Sequence, residues 1–214
     1  HAIHNNNATF YSRDRVYANF GFETFTSLEY MHDVERNPLC WAKDFVLTEE
    51  ILKALRSTED RDLVFTVSVQ PHGKYPTAPL EGARTIRVTG EEAESRRAGL
   101  EYYLYQLKQT DAFVARLVRR LSTFSEPTVV VFYGDHLPGI YSSASEDDNN
   151  SLALHLTDYF IWSNKASSSQ GNEIDNADYS SPNFFVAQAA EHMDAKVSPY
   201  LAFLTQMHEK ISAM

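Results

Sequence analysis

The opening of the chain lacks a clean hydrophobic rhythm, whereas the remainder is strongly patterned. Residues 1–47 carry Tyr11, Tyr17, Phe20, Phe22, Phe25, Tyr30 and Trp41 at irregular spacing. They read as a packed, irregular segment with a short helix over Arg13–Asn19, ended by Gly21. Residues 48–57 place acids first and bases last, which predicts a helix aligned with its own dipole. Leu63–Val69 is a β-branched run halted by Gln70-Pro71-His72-Gly73, a strand entering a loop. Thr89 to Glu92 has the spacing of a capping box, and a long helical pattern follows to about Thr123. Its apolar stripe is Leu100, Leu104, Leu107, Val114, Val118 and Leu121, with Asp111 in the vacant place. Asp111 is then a buried, hydrogen-bonded acid or the mark of a break at Thr110, in either case a structural residue. Thr128–Tyr133 is apolar on both faces, as a strand covered on two sides should be, and Gly134-Asp135-His136 ends it. A polar loop over 142–152, a strand over Asp158–Ser163 and a Ser/Asn-rich loop over 165–181 follow. Helices are predicted over Asn183–His192 and Ser198–Ile211.

Strand, long helix and strand make a βαβ unit, whose two strands are expected to lie parallel and near each other. Open α/β sheets bind ligands at the carboxyl edge of such strands. His72 and the pair Asp135/His136 each follow a strand end, so this reading brings them to one rim. The expected fold class is α/β, a mostly parallel sheet flanked by helices, forming a single unit over 1–214 that is itself incomplete.

Composition narrows the function classes. The 214 residues are 43% apolar, enough for a sizeable core. Net charge is −10, which argues against nucleic-acid binding or a polybasic membrane surface. One cysteine, Cys40, excludes an internal disulfide and a cysteine-cluster metal site. No stretch approaches the ~20 apolar residues of a membrane span. The chain starts at His1 without an initiator methionine, and is read as a piece of something longer. Membrane helices, targeting signals and part of an active site are expected upstream.

Asp135-His136 offers a carboxylate oxygen and an imidazole nitrogen that can reach one divalent cation, with Gly134 allowing a close turn. Oxygen and nitrogen together suit manganese or zinc better than calcium. The alternative is a solvated loop in which Asp135 caps a turn. His72, on the tight Pro71–Gly73 loop, can donate to a phosphate or sulfate oxygen or serve in acid–base work, or be an ordinary loop histidine. His4, Tyr11, Arg13 and Asp14 form a looser group. Arg13 can grip a phosphate with its planar fork and His4 can supply a second donor, unless Arg13 simply pairs with Asp14. Cys40-Trp41 reads as core packing. Nucleophile-elbow, Walker and dinucleotide glycine motifs do not occur. Two ligands do not complete a metal site, so further ligands and the nucleophile are expected outside the chain.

These residues resemble the lipoteichoic acid synthase family. The resemblance rests on His4 through Asp14, Val16-Tyr17, Gly21–Phe25, Thr66–Gly73, Tyr103–Asp111 and Val131–Pro138, in unchanged order. The family comprises sulfatase-like phosphoglycerol transferases of the alkaline phosphatase superfamily. The resemblance implies the carboxyl-terminal half of an extracellular catalytic domain. Its parent would be anchored in the bacterial cell membrane by helices upstream. Such enzymes move glycerol phosphate from phosphatidylglycerol to a polymer or glycan through a threonine nucleophile, which with a glutamate has no counterpart here. Asp135 and His136 match the family's metal pair, implying manganese, with zinc, magnesium or calcium as alternatives. His4, Arg13 and His72 match residues that hold the phosphoglycerol head group. Tyr11 stands where the best-known members carry tryptophan, a departure that bears on acceptor and head-group preference.

Three functions compete. The first is phosphoglycerol transfer, with the 214 residues alone inactive. Another is sulfatase, phosphodiesterase or phosphoethanolamine transfer on the same fold. The last is a non-catalytic binding or regulatory module retaining a relic of the site.

Overall fold

The structure is a computed structural model that describes residues 1–80, 86–90, 94–141, 152–175 and 177–211. Its contacts divide the chain into two units, His1–Leu117 with Pro138–Ser143, and Val118–Leu137 with Ala144–Met214.

The first unit is organised by β1 (Ala2–His4), a three-residue strand buried throughout and flanked by two parallel partners. β2 (Phe25–Ser27) lies on one side and β3 (Phe65–Val67) on the other. The register sets His4 opposite Ser27 and Val67, so three strand ends share one edge. α1 (Arg13–Asn19) seats Tyr17 among Phe22, Phe25 and Phe65, with ring centroids 4.9 to 6.1 Å apart. Gly21 ends α1 at φ +80°, a left-handed conformation that favours glycine, as the sequence predicts. α2 (Phe45–Ala54) packs against β1 and buries Leu47, Ile51 and Leu52. It begins three residues before the predicted start.

α3 (Glu94–Ser122) is continuous. The predicted capping residues Glu91 and Glu92 lie outside the described residues, as does most of the 142–152 loop. The buried stripe of α3 differs from the predicted one. Tyr102, Gln106, Thr110, Phe113, Leu117 and Leu121 are buried, whereas Leu107 is exposed. The polar members Gln106 and Thr110 can face inward because hydrogen-bonding partners await them there. Asp111 is exposed on an unbroken helix and is neither a buried acid nor a break.

In the second unit, β4 (Val129–Tyr133) pairs antiparallel with β5 (Tyr159–Ser163), from Val129 opposite Ser163 to Tyr133 opposite Tyr159. Phe132 and Phe160, directly opposite, stack at 5.3 Å. Asn164 then ties off the end of α3, donating to the carbonyls of Leu121, Phe124 and Glu126 while accepting from Thr128 N–H. α4 (Phe185–His192) sets Phe185 against Tyr133 and Tyr159. It packs on α5 (Pro199–His208) through a small core of Phe184, Ala187 and Leu204. Ser198 caps α5 by accepting from Leu201 N–H at 3.3 Å.

The fold is the expected mixed α/β arrangement with a parallel sheet flanked by helices, but the βαβ reading needs correction. β3 pairs with β1, and β4 pairs with β5 in a separate, antiparallel sheet. A long helix between two strands permits parallel pairing without enforcing it. β3 had a partner in β1 that the sequence pattern does not reveal, and β4 took the predicted strand β5 instead of β3. β4 is also half-buried at four positions and exposed at Tyr133, not covered on both faces.

Candidate functional site

The first group of site residues is built where β1 and β3 end. His4 closes β1, and its Nδ1 lies 2.8 Å from the carbonyl oxygen of Val67, the last residue of β3. A carbonyl only accepts, so Nδ1 carries the proton and Nε2 presents a lone pair. Arg13 donates to that Nε2 through its guanidinium. His4 is 1% exposed. Burial lowers the imidazole pKa from 6.5 to about 4, with the Val67 bond opposing and the Arg13 charge adding. His4 is therefore neutral near pH 7. Both ring nitrogens of His4 are engaged within the protein, Nδ1 with Val67 and Nε2 with Arg13. In this arrangement it holds Arg13.

Arg13 opens α1, and the two residues before it are left-handed, Tyr11 at φ 56° and Ser12 at φ 52°. Non-glycine residues adopt that conformation at a cost, and such costs concentrate at functional sites. The Arg13 guanidinium carbon lies 5.6 Å from the Tyr11 ring centroid, within cation–π range. Tyr11 itself is 74% exposed, so its ring is offered to solvent beside the guanidinium. The remaining N–H groups of Arg13 retain the fork geometry suited to a phosphate.

His72 stands exposed on the loop leaving β3, at the same sheet edge as His4. The loop is a turn closed by His72 N–H donating to Val69 O at 3.0 Å. Its Nδ1 donates to Gly73 O at 2.7 Å, which leaves Nε2 pointing away from that bond. The ring packs edge-on against Trp41 at 4.9 Å. Trp41 is positioned by Asn37, whose Oδ1 accepts from both Leu39 and Trp41 N–H groups at 3.0 Å. The reading of Cys40-Trp41 as core packing does not hold, since Cys40 is exposed and Trp41 is half-buried against the site histidine.

Beneath this edge lies a buried polar network that the sequence reading missed. Asp44 is fully buried at the residue before α2 and makes no side-chain cap to that helix. Its Oδ1 accepts from Asn5 Nδ2 at 2.9 Å and from the backbone N–H groups of Val69 and Gln70 at 3.3 and 3.2 Å. Its Oδ2 accepts from the Thr110 hydroxyl at 2.8 Å. Gln70 Oε1 accepts in return from Asp44 N–H, and Gln70 Nε2 donates to Gln106. Asn37 closes the ring by donating to Gln70 O at 3.0 Å. Burial raises the Asp44 pKa above the usual carboxylate range, against the lowering effect of its hydrogen bonds.

Asp135 and His136 follow β4 in the second unit, with side chains 75% and 68% exposed. Gly134 precedes them at a close approach, where a Cβ would lie 3.0 Å from Thr157 Cβ. Thr157 also donates to Gly134 O at 2.7 Å, which pins the strand end. Asp135 Oδ1 accepts from His136 N–H, and His136 Nδ1 donates to Leu137 O at 2.8 Å. The remaining lone pairs, on Asp135 Oδ2 and His136 Nε2, lie 3.7 Å apart. A histidine whose other nitrogen is fixed by a carbonyl is the usual arrangement of a metal-ligating imidazole. The pair therefore fits a divalent cation in donor chemistry, while no group of three or more potential ligands occurs among the described residues. The structure thus joins His4, Tyr11 and Arg13 by contact, sets His72 at the same edge, and aims Asp135 and His136 as a pair.

The sulfatase family model matches residues 1–195 of this chain. The chain belongs to the sulfatase family. A Streptococcus pyogenes phosphoglycerol transferase, GacH, solved in complex with sn-glycerol-1-phosphate, superposes with a TM-score of 0.83. It is 31% identical over 99% of this sulfatase-family chain and 54% of its own. The lipoteichoic acid synthase LtaP of Listeria monocytogenes shares the fold at a TM-score of 0.51 and 23% identity, over 75% of this chain and 42% of its own. Two proteins of Rhizobium meliloti (strain 1021) are similar in sequence. A "Putative cyclic beta-1,2-glucan modification protein" is 29% identical over 97% of this chain and 34% of its own length. The capsular polysaccharide biosynthesis protein RkpI is 30% identical over 75% and 27%. The chain therefore spans about a third of these curated relatives and about half of GacH. The resemblance to phosphoglycerol transferases of the sulfatase-like alkaline phosphatase superfamily stands, and that superfamily is in general metal-dependent. No helix among the described residues is long and apolar enough to cross a membrane.

Proposed function

We propose that these residues are part of a phosphoglycerol transferase that moves glycerol phosphate from phosphatidylglycerol to a cell-envelope glycan. The likeness to GacH over nearly the whole chain carries this reading. The glycan acceptor is favoured over a glycerol phosphate polymer because both curated relatives bear names concerned with glycans. The reaction would take place on the outer face of the bacterial membrane. The nucleophile, a threonine, and the remaining metal ligands come from outside these residues, so the 214 residues alone are inactive.

Each residue then has a physical task. Arg13 meets the phosphoryl oxygens with a planar fork, and His4 accepts from one of its N–H groups, fixing its rotation. Tyr11 offers a ring face to the glycerol or to the acceptor. His72 presents Nε2, which in the protonated ring donates to a phosphate oxygen. Asp135 and His136 would hold the divalent cation, manganese in our reading, which when bound offsets negative charge on the phosphoryl group.

Full-length protein incubated with phosphatidylglycerol vesicles and a glucan tests this. Phosphorus NMR is expected to show phosphodiester-linked glycerol on the glucan. Turnover of an aryl sulfate without any lipid turnover would overturn the proposal in favour of a sulfatase.

A further inference from the structure

We infer that Asp44 is the positioning residue of the phosphate-binding edge, locking the loop after β1 to the loop after β3. The inference rests on the proposed phosphoglycerol reading for what the edge binds, and on geometry alone for the lock itself. Asn5 directly follows His4, and its side chain donates to Asp44 Oδ1 at 2.9 Å. Val69 and Gln70, just before the Pro71-His72 turn, bring their backbone N–H groups to the same oxygen. One atom thus fixes the two chain segments that carry the edge histidines. The reciprocal bond from Asp44 N–H to Gln70 Oε1 clamps the second segment from both sides. Through Gln70 O the network reaches Asn37, which sets Trp41 against the His72 ring.

Stability alone accounts poorly for such a group. Asn5, Asn37, Asp44, Gln70, Gln106 and Thr110 are all more than nine-tenths buried. Removing a carboxylate from water is costly, and well-packed apolar side chains commonly stabilise as much or more. A carboxylate at the residue before a helix also has a simpler use, accepting from the helix N–H groups, and Asp44 does not take it. What the carboxylate supplies and apolar packing does not is direction: three donors from two loops converge on a single oxygen, with the α3 hydroxyl of Thr110 holding the other. Asp44 touches neither substrate nor metal in this account. It acts through His4, Arg13 and His72.

The test compares Asp44→Asn and Asn5→Ala with Leu52→Ala, a buried α2 residue outside the network, in the full-length protein. Calorimetric titration with sn-glycerol-1-phosphate is paired with thermal melts and with nitrogen NMR of the labelled histidine rings. Asp44→Asn and Asn5→Ala are expected to weaken binding by at least about tenfold, since misplacement of ~1 Å can cost ~10²-fold. Leu52→Ala, at an equal or greater loss of melting temperature, is expected to leave binding within about twofold. Binding losses that merely track melting temperature across the three variants would overturn the inference. If the wild type itself does not bind sn-glycerol-1-phosphate, the phosphoglycerol reading fails and the ring spectra decide. Altered His4 and His72 ring signals in Asp44→Asn but not Leu52→Ala then support the lock, and unaltered signals overturn it.

Discussion

Arg13 donates to Nε2 of His4, a nitrogen that is free of a proton because Nδ1 spends its own on Val67. A cation thus leans on a neutral imidazole, and protonating that imidazole would break the contact and set two positive charges together. Stability should record this. The folded pKa is about 4 against 6.5 for the free group, so the unfolded chain takes up the proton first as pH falls. Above about pH 6.5 both states are neutral and His4 contributes no pH dependence. Between about pH 6.5 and 4 the folded state loses stability, by up to ~3 kcal/mol at full separation of the two pKa values. Denaturant melts across that range should show the loss in the wild type. In His4→Gln, whose side chain does not titrate, the difference should vanish. Parallel wild-type and variant curves would refute the assignment.

Replacing Arg13 with lysine keeps the charge and removes the fork. Hydrogen bonds to charged groups are worth ~1.5–3 kcal/mol, so binding of sn-glycerol-1-phosphate should weaken by roughly 10- to 100-fold. Titration calorimetry reads this directly. Full retention of affinity in Arg13→Lys would mean that charge alone suffices and that the His4 contact serves another purpose.

Asp135 and His136 are both exposed, so removing either should disturb function without disturbing the fold. Asp135→Ala and His136→Ala in the full-length protein should melt within ~0.5 kcal/mol of wild type, as exposed substitutions usually do. Manganese content after dialysis, read by atomic emission, should fall sharply in both. Unchanged metal content would remove this pair from the ligand set.

Gly134→Ala addresses the same strand end from the backbone side. The added Cβ would sit 3.0 Å from Thr157 Cβ, tighter than most such contacts, so the Thr157 side chain must give by a few tenths of an ångström or the β4 end must shift. Overpacking of this kind costs ~1–3 kcal/mol, measurable in a urea melt, and should lower manganese retention by re-aiming Asp135 and His136. An unperturbed melt would show that the neighbouring segment yields freely.

How far the sequence could be read depended on element length and on where polar groups find partners. α3 was legible as a helix because its pattern is long, and β4 as a strand because its β-branched run is halted by Gly134. β1 and β2 were not, since three residues carry no period, and without them β3 lacked its true neighbour. The stripe of α3 was misassigned because hydrophobicity ranks Leu107 above Gln106, whereas the fold buries Gln106 against Gln70. His4, Arg13 and His72 were marked by their side-chain chemistry, His72 also by its place after a predicted strand, and all three by their resemblance to a family motif. Asp44 was not, because a carboxylate shortly before a helix looks ordinary. Its donors come from Asn5, Val69, Gln70 and Thr110, which local spacing cannot assemble.

The centrality of β1 has an evolutionary corollary. With both neighbours aligned to a strand of three residues, a slip by one position would turn His4 to the opposite face and carry Asn5 or Ile3 into its place. Turns elsewhere can lengthen at small entropic expense. The interval from the end of β1 to the first residue of α1 has no such latitude, because the guanidinium must return to that one imidazole. Across descendants of this gene, insertions should accumulate in the other connections and spare the stretch between His4 and Arg13.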